Sequence, residues 1–178
     1  GKLYQSYSFL TMYANVDGWH FAEDEVPVAE RPEMDRWILS SLNSLIRDVE
    51  QCYEDYEPTR AGRMISTFVM DNLSNWFVRL NRKRFWAGDM TQDKLSAYQT
   101  LYTCLLGVAK LMAPIAPFYA DRLYLDLTQG NEAESVLLAR FPESDATHIN
   151  KDLEYCMELA QKTSSMALSL RKKEEIIV

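Results

Sequence analysis

Four cations and four aromatic rings lie within residues 74–86, whose sequence is SNWFVRLNRKRFW. Arginine and lysine side chains bind phosphate groups, and arginine can do so through two parallel hydrogen bonds. The flat face of an exposed indole ring can stack on an unpaired base. These residue types at this spacing indicate a nucleic-acid surface, provided that a helix presents them to solvent.

The positive charge of the chain is concentrated around this stretch, although the whole chain is acidic. The 178 residues carry a formal net charge of −7. Residues 60–86 contain six cations and one anion, whereas residues 1–59 contain four cations and twelve anions, and residues 87–178 contain nine and thirteen. A local basic face, rather than the net charge, determines where a phosphate backbone can dock.

Groups that could catalyse a reaction or hold a metal are not recognisable in the sequence. His20 and His148 are isolated, and Cys52, Cys104 and Cys156 are far apart, without a CxxC pair. A metal needs three or four ligands at usable spacing, and a nucleophile needs a base within reach. We therefore expect this segment to be non-catalytic, without metal or cofactor. The separated cysteines favour reduced thiols and a cytoplasmic location.

Apolar residues recur at steps of three and four along most of the chain, which predicts an all-α fold, an antiparallel helical bundle. The predicted helices cover residues 35–56, 58–84, 91–112, 117–127 and 151–170. Asp35 and Thr91 are candidate N-caps, and Pro58 suits the first turn of a helix. Residues 128–150 form a connection, with a short strand at 136–139 as an alternative to irregular structure. No apolar run reaches the roughly 18 residues that a membrane span requires.

The predicted second helix changes its chemistry along one face. At 100° per residue, its apolar stripe is continued by polar, cationic and indole side chains, namely Asn72, Asn75, Arg79, Arg82, Lys83 and Trp86. Burying unpaired cations is costly, so we expect this end of the helix to leave the core. Trp76, Phe77 and Leu80 are expected on the packing side, and Phe118 is expected to be buried by the fourth helix. A merely solvated face is the alternative for the cations.

Beyond these patterns, the sequence resembles the anticodon-binding region of class I isoleucyl-tRNA synthetases. The matching stretches are YSFLTMYANVDGW, DRWILSSLNSLI, YEDYEPTRAGRMISTFVMDNLSNWFVRLNRKRFW, AYQTLYTCLLGVAKLMAPIAPFYADRLY, SVLLARFP and LSLRKKEEIIV. They occur in the family's order and touch nearly all of the chain. LMAPIAPF is similar in the valyl, leucyl and methionyl relatives, whereas DNLSNWFVRLNRKRFW points to the isoleucyl branch.

The resemblance implies a division of the chain and a set of binding residues. Residues 1–34 would be the junction from the catalytic domain, 35–127 the anticodon-binding bundle, 128–150 the connection, and 151–178 a helix leading to a truncated C-terminal part. The residues implied to face the anticodon stem and loop are Asn75, Trp76, Arg79, Arg82, Lys83, Arg84 and Trp86.

The resemblance also implies partners. The intact enzyme would attach isoleucine to its tRNA with ATP, which would bind in a catalytic domain, since the family's HIGH and KMSKS motifs do not occur in these 178 residues. The implied partners are isoleucine tRNA and the catalytic domain of the same polypeptide, and the implied state is a monomer without membrane contact. Two alternatives remain, namely the same module of a valyl- or leucyl-tRNA synthetase and a helical protein-interaction module without RNA binding.

Overall fold

The computed structural model describes residues 1–21 and 25–174, which fold into helices joined by turns and loops, without a β-strand in these ranges. The α-helices are α1 (Lys2–Asp17), α2 (Glu33–Glu54), α3 (Pro58–Thr67), α4 (Arg79–Trp86), α5 (Gln92–Met112), α6 (Pro117–Thr128) and α7 (Lys151–Lys173). A π-helical segment, Phe68–Val78, joins α3 to α4, and short 3₁₀ turns occupy Val28–Glu30 and Ala146–His148. The all-α prediction is confirmed, and the alternative of a strand at 136–139 is wrong. None of the described helices is long and apolar enough to cross a membrane.

Helix α5 lies at the centre of the bundle and packs against α2, α4, α6 and α1. Its side chains Tyr98, Leu101 and Leu105 are completely buried, as is Trp37 of α2 apart from 2% of its surface. The Leu42 side chain of α2 packs directly on the α5 backbone at Gly107, where an added Cβ would lie 3.2 Å from Cδ1 of Leu42. Burial of these large side chains supplies the main stabilisation of the bundle.

Two of the three predictions for helix starts are confirmed, and one is wrong. Thr91 Oγ1 accepts a hydrogen bond from the Lys94 amide at 3.2 Å, and Pro58 occupies the start of α3, as the sequence predicts. Asp35 is not an N-cap. Helix α2 begins at Glu33 after Pro32, so Asp35 lies inside the first turn, where its side chain is fully buried. This prediction was wrong because Asp35 has a partner from a distant helix, which local sequence does not reveal.

The π-helical segment determines which side of the long helical path faces the core. Along the continuous helical path from α3 to α4, every fourth residue is buried, namely Ala61, Ile65, Val69, Leu73, Phe77, Asn81 and Phe85. In a regular α-helix, a step of four residues overshoots a full turn by about 40°, so such a stripe would wind away from the core. Hydrogen bonds in a π-helix span five residues instead of four, and its wider turn counteracts that drift.

This change of register corrects the predicted second helix. The cationic residues do not continue the buried face of α3, because the wider turns keep Phe77 and Phe85 on that face instead. Leu80 was expected in the core, but 58% of its surface is exposed. The expectation for Phe118 is also wrong, since this first-turn residue of α6 is 92% exposed.

The two ends of the described chain pack differently. Helix α1, within the predicted junction, packs on the π-helical segment and α5, and its Phe9 ring meets Phe85 edge-on with 4.9 Å between ring centroids. Helix α7 is attached to α2 through Glu154, whose Oε1 accepts hydrogen bonds from Ser40 at 2.5 Å and Ser44 at 2.7 Å. No described residue of α7 is fully buried.

Candidate nucleic-acid interface

One side of α4 carries three cations and a tryptophan. The four side chains leave the same side of the helix, because the steps in sequence from Arg79 to Arg82, Lys83 and Trp86 are three, one and three positions. All four are exposed, Trp86 over 57% of its surface. We call these four residues the α4 face. The exposure of these side chains agrees with the sequence, but the expectation that this end of the helix leaves the core is wrong, because Asn81 and Phe85 on the other side of α4 are buried.

Nothing in the described chain neutralises the cations of the α4 face. Among residues 1–21 and 25–174, Arg79, Arg82 and Lys83 take part in no ion pair. By contrast, the exposed Arg60 lies 3.1 Å from a carboxylate oxygen of Glu57. Three unpaired cations on one side of a short helix create a local positive potential, which attracts a polyanion.

Arg84 does not lie on the α4 face, although the resemblance grouped it with the other cations. Its two terminal nitrogens donate to the two carboxylate oxygens of Asp35 at 2.6 and 2.9 Å, and Nε donates to Asp93 at 3.0 Å. Only 14% of its side chain is exposed. Burial opposes its charge, but the hydrogen bonds to these two carboxylates raise the pKa of Arg84 above its ordinary value. Its donors are therefore occupied within the protein.

The remaining candidate residues have different environments. Asn75 is exposed one turn before Arg79, so its amide is open to a partner. Trp76 is half-buried and packs against the core, which leaves part of its ring accessible. The structure therefore brings five of the seven candidate residues together on an open surface, places Trp76 at its edge and turns Arg84 inward.

Asn81 was not singled out from the sequence, yet it is buried and helps to orient the Arg84 side chain. It occupies a position of the buried stripe, and its Nδ2 donates to the Phe77 carbonyl at 2.8 Å. Its Oδ1 accepts from Arg84 at 3.1 Å. A polar residue in an otherwise apolar stripe with a spacing of four is the signal that could have identified it.

A second buried cation fixes the end of α4. Lys94 is 1% exposed, and its Nζ donates to the Ala87 carbonyl at 2.5 Å and lies 2.6 Å from Asp17 Oδ2. The Tyr98 hydroxyl donates to the same Asp17 oxygen at 2.5 Å. Burial tends to raise the pKa of Asp17, but the hydrogen bonds from Lys94 and Tyr98 outweigh it and lower that pKa. The helix end is thus attached to α1 and α5.

The chemistry available on the α4 face is binding. Guanidinium and ammonium groups can contact phosphates, the Trp86 ring can stack on a base, and the Asn75 amide can both donate to and accept from a base edge. Within the described ranges, no group of three or more His, Cys, Asp or Glu side chains could hold a metal ion. Burial raises the pKa of the Cys104 thiol, which disfavours its nucleophilic thiolate form.

Comparison with known proteins gives a consistent family assignment. Residues 35–177 match the family model described as the anticodon-binding domain of tRNA ligase. The chain is 63% identical over its whole length to an isoleucine–tRNA ligase of Bacteroides thetaiotaomicron and 61% identical to that of Porphyromonas gingivalis. Over 99% of its length it is 46% identical to the isoleucine–tRNA ligase of Dehalococcoides mccartyi. The chain spans only 16–18% of the length of these relatives.

Proposed function

The chain belongs to the family of anticodon-binding domains of tRNA ligases, and from this membership we propose that it binds the anticodon arm of isoleucine tRNA. The observation that supports the proposal most strongly is the α4 face, with three unpaired cations and an exposed indole on one side of a helix. Sequence-specific RNA recognition commonly uses loop bases, which are unstacked and can be contacted. An anticodon loop offers both such bases and closely spaced phosphates.

In this proposal the residues of the interface bind different parts of the RNA. Arg79, Arg82 and Lys83 contact phosphates, and Trp86 stacks on a loop base. Asn75 contacts a base edge, while Arg84 holds the helix and makes no RNA contact.

The proposed parent protein is an isoleucine–tRNA ligase, in view of the identities of 57–63% to such ligases over the whole chain. It would attach isoleucine to tRNA with ATP in a part of the polypeptide outside this chain. The present segment would bind the anticodon arm and so help to orient the tRNA. We further propose that it acts as a monomer in the cytoplasm, consistent with the free thiols of Cys52, Cys104 and Cys156.

The proposal is tested by measuring the affinity of the chain for isoleucine tRNA as a function of salt. Three phosphate contacts at about 0.7 per contact give a log–log slope of about −2. Arg79→Ala should weaken binding and reduce the slope to about −1.4. The matched control is Arg60→Ala, because Arg60 is paired with Glu57 and should contribute little.

A slope near zero, or equal losses for the two variants, would contradict the proposal. Competition with valine and leucine tRNAs distinguishes the isoleucine-specific module from those of the related ligases. A chain that binds none of the three tRNAs would favour a protein-interaction module instead.

A further inference from the structure

Four buried or half-buried charged groups and one exposed carboxylate, that of Asp93, meet where α4 ends, and the proposed RNA contacts use none of them. We call Asp17, Asp35, Arg84, Asp93 and Lys94 the charge cluster. Asp35 is 0% exposed, Lys94 1% and the Arg84 side chain 14%. The cluster joins the last turn of α4 to the beginnings of α2 and α5 and to the end of α1.

The cluster is an inefficient way to stabilise a bundle. Desolvating two charges costs several kcal/mol per ion, and buried ion pairs can often be replaced by apolar side chains without loss of stability. The neighbouring core has such side chains available, because Phe85 already packs between Phe9 and Tyr98 with ring-centroid distances of 4.9 and 5.1 Å. What an ion pair supplies and an apolar contact does not is directional geometry.

The geometry of the cluster restrains α4 in two ways. The planar guanidinium of Arg84 meets both oxygens of Asp35, and this bidentate contact restricts rotation of α4 about its own axis. Lys94 holds the carbonyl of Ala87, directly after the last residue of α4, and therefore restricts the direction in which the helix ends. Lys83 and Trp86 lie within two residues of Arg84, so any rotation at Arg84 moves the α4 face.

We propose that Asp35, Arg84 and Lys94 are positioning residues that set the orientation of the α4 face for RNA, and that none of them contacts RNA. This inference rests on the proposed RNA-binding function. It assigns to the acidic Asp35 a role that favours binding of a polyanion, which is the opposite of its electrostatic effect.

Asp35→Asn distinguishes the positioning role from direct contact by the sign of its effect. If Arg84 were a phosphate ligand, removal of the carboxylate that occupies it would release its charge and strengthen binding. If Asp35 orients the helix through Arg84, the same variant should weaken binding of isoleucine tRNA, by about tenfold for residues coupled through direct contact. Asp71→Asn is the matched control, because it removes an exposed carboxylate from the adjoining π-helical segment and should leave binding unchanged or slightly stronger.

Arg84→Lys and the double variant Asp35→Asn/Arg84→Lys complete the experiment. Lysine retains the positive charge but cannot form the bidentate pair, so a residue that attracts phosphate through its charge would keep much of its effect, whereas a residue that positions α4 through the pair with Asp35 would lose it. Both changes break the same contact, so their effects should not add. The double variant should therefore have about the affinity of whichever single variant binds isoleucine tRNA less tightly.

If Asp35→Asn does not fold, Asp93→Asn replaces it in the experiment. This change should destabilise the fold less, because half of the Asp93 side chain is exposed. It should weaken binding less than Asp35→Asn would. Acrylamide quenching reports the solvent accessibility of tryptophan, and Trp86 is the most exposed of the four tryptophans. Its quenching should therefore change in each cluster variant in which α4 rotates and thermal unfolding remains cooperative.

Tighter binding by Asp35→Asn, or undiminished binding by Arg84→Lys, would overturn the positioning role. Arg82→Ala serves as the reference for the proposed function. If the unaltered chain binds isoleucine tRNA and Arg82→Ala binds it equally well, the α4 face is not the RNA-binding surface. If Arg82→Ala loses affinity but the cluster variants do not, only the positioning role is refuted.

Discussion

At the scale of single residues, the protein separates arginines that face solvent from one that faces the interior, although they are neighbours in sequence. Arg82 and Lys83 have no ionic partner among the described residues, whereas Arg84 has two. One helical position changes the direction of a side chain by about 100°, which is sufficient for this difference. A basic run in the sequence therefore gives an upper limit on the number of cations available to RNA.

The stacking role of Trp86 gives a prediction at this scale. Trp86→Ala should weaken binding of isoleucine tRNA by roughly 1–3 kcal/mol, the usual contribution of one stacked base. Trp86→Phe should retain part of the affinity, because a phenyl ring still offers a flat face. The measurement is a binding titration with Phe118→Ala as control, since Phe118 is an exposed aromatic residue of α6, outside the α4 face. Equal affinities of the Trp86→Ala and unaltered chains would show that the indole makes no stack.

The attachment of α7 gives a prediction for pH. Burial of Glu154 opposes its charge, but hydrogen bonds from Lys151, Ser40 and Ser44 lower its pKa below the ordinary value of 4.5. A lowered pKa in the folded state stabilises the protein above the unfolded-state pKa, and this stabilisation is lost as the pH falls through the folded-state pKa.

Glu154→Gln should therefore reduce the free energy of unfolding by roughly 1–2 kcal/mol at pH 7, and this difference should shrink when the pH is lowered from about 5 to 3. Denaturant unfolding of both chains across this range measures it. Asp152→Asn, an exposed change in the same helical turn, should have little effect at any pH. A difference that stays constant down to pH 3 would contradict the assigned hydrogen bonds.

At the scale of the elements, the π-helical segment is the feature that most affects the site. The conversion from α to π register spans Phe68–Val78 and immediately precedes the α4 face. π-helical turns are rare and often occur at functional sites. Here the wider turn places Phe77 and Phe85 in the core and so directs the cations of α4 to solvent.

This register gives a prediction for stability. Phe77→Ala should destabilise the chain by about 3–5 kcal/mol, because Phe77 is completely buried. Leu80→Ala should change the free energy of unfolding by less than about 0.5 kcal/mol, because 58% of Leu80 is exposed. Denaturant unfolding compares the two variants. A loss above about 2 kcal/mol for Leu80→Ala would mean that the helix has the regular α register.

The extent to which the fold could be predicted differs between elements. The spacing of apolar residues predicted the bounds of α2, α5 and α6 within a few residues, because each turn of these helices places apolar side chains on the core. The π-helical segment departs from the prediction because an angle of 100° per residue holds only for a regular α-helix, whereas the spacing of four from Ala61 to Phe85 fits the wider π-helical turn. Helix α1 was interpreted only as a junction.

The candidate site was predictable in its location and less so in its members. The charge pattern identified the segment of α4, and Arg79, Arg82, Lys83 and Trp86 are exposed as expected. The inward direction of Arg84 was not predictable, because Asp35 is 49 residues away and local sequence offered capping as a simpler role for it.

At the scale of the whole molecule, the chain is acidic overall, and the α4 face is a local concentration of positive charge that orients an approaching polyanion. The excess negative charge of residues 1–59 and 87–178 disfavours nonspecific contact with RNA, and in the proposed function the α4 face attracts it. The seven described α-helices can be understood as a rigid support for this face, since α1, α2 and α5 all contribute groups to the charge cluster behind it.

The central claim, that this bundle recognises the anticodon arm of isoleucine tRNA, is tested most directly by one binding comparison. The chain is titrated with isoleucine tRNA and with the same tRNA carrying replaced anticodon bases, at roughly 0.1–0.15 M salt to screen nonspecific attraction. We expect the unaltered tRNA to bind more tightly, by about tenfold or more if at least one base contact is lost. Equal affinity for the two tRNAs, or no binding of either, would contradict the claim.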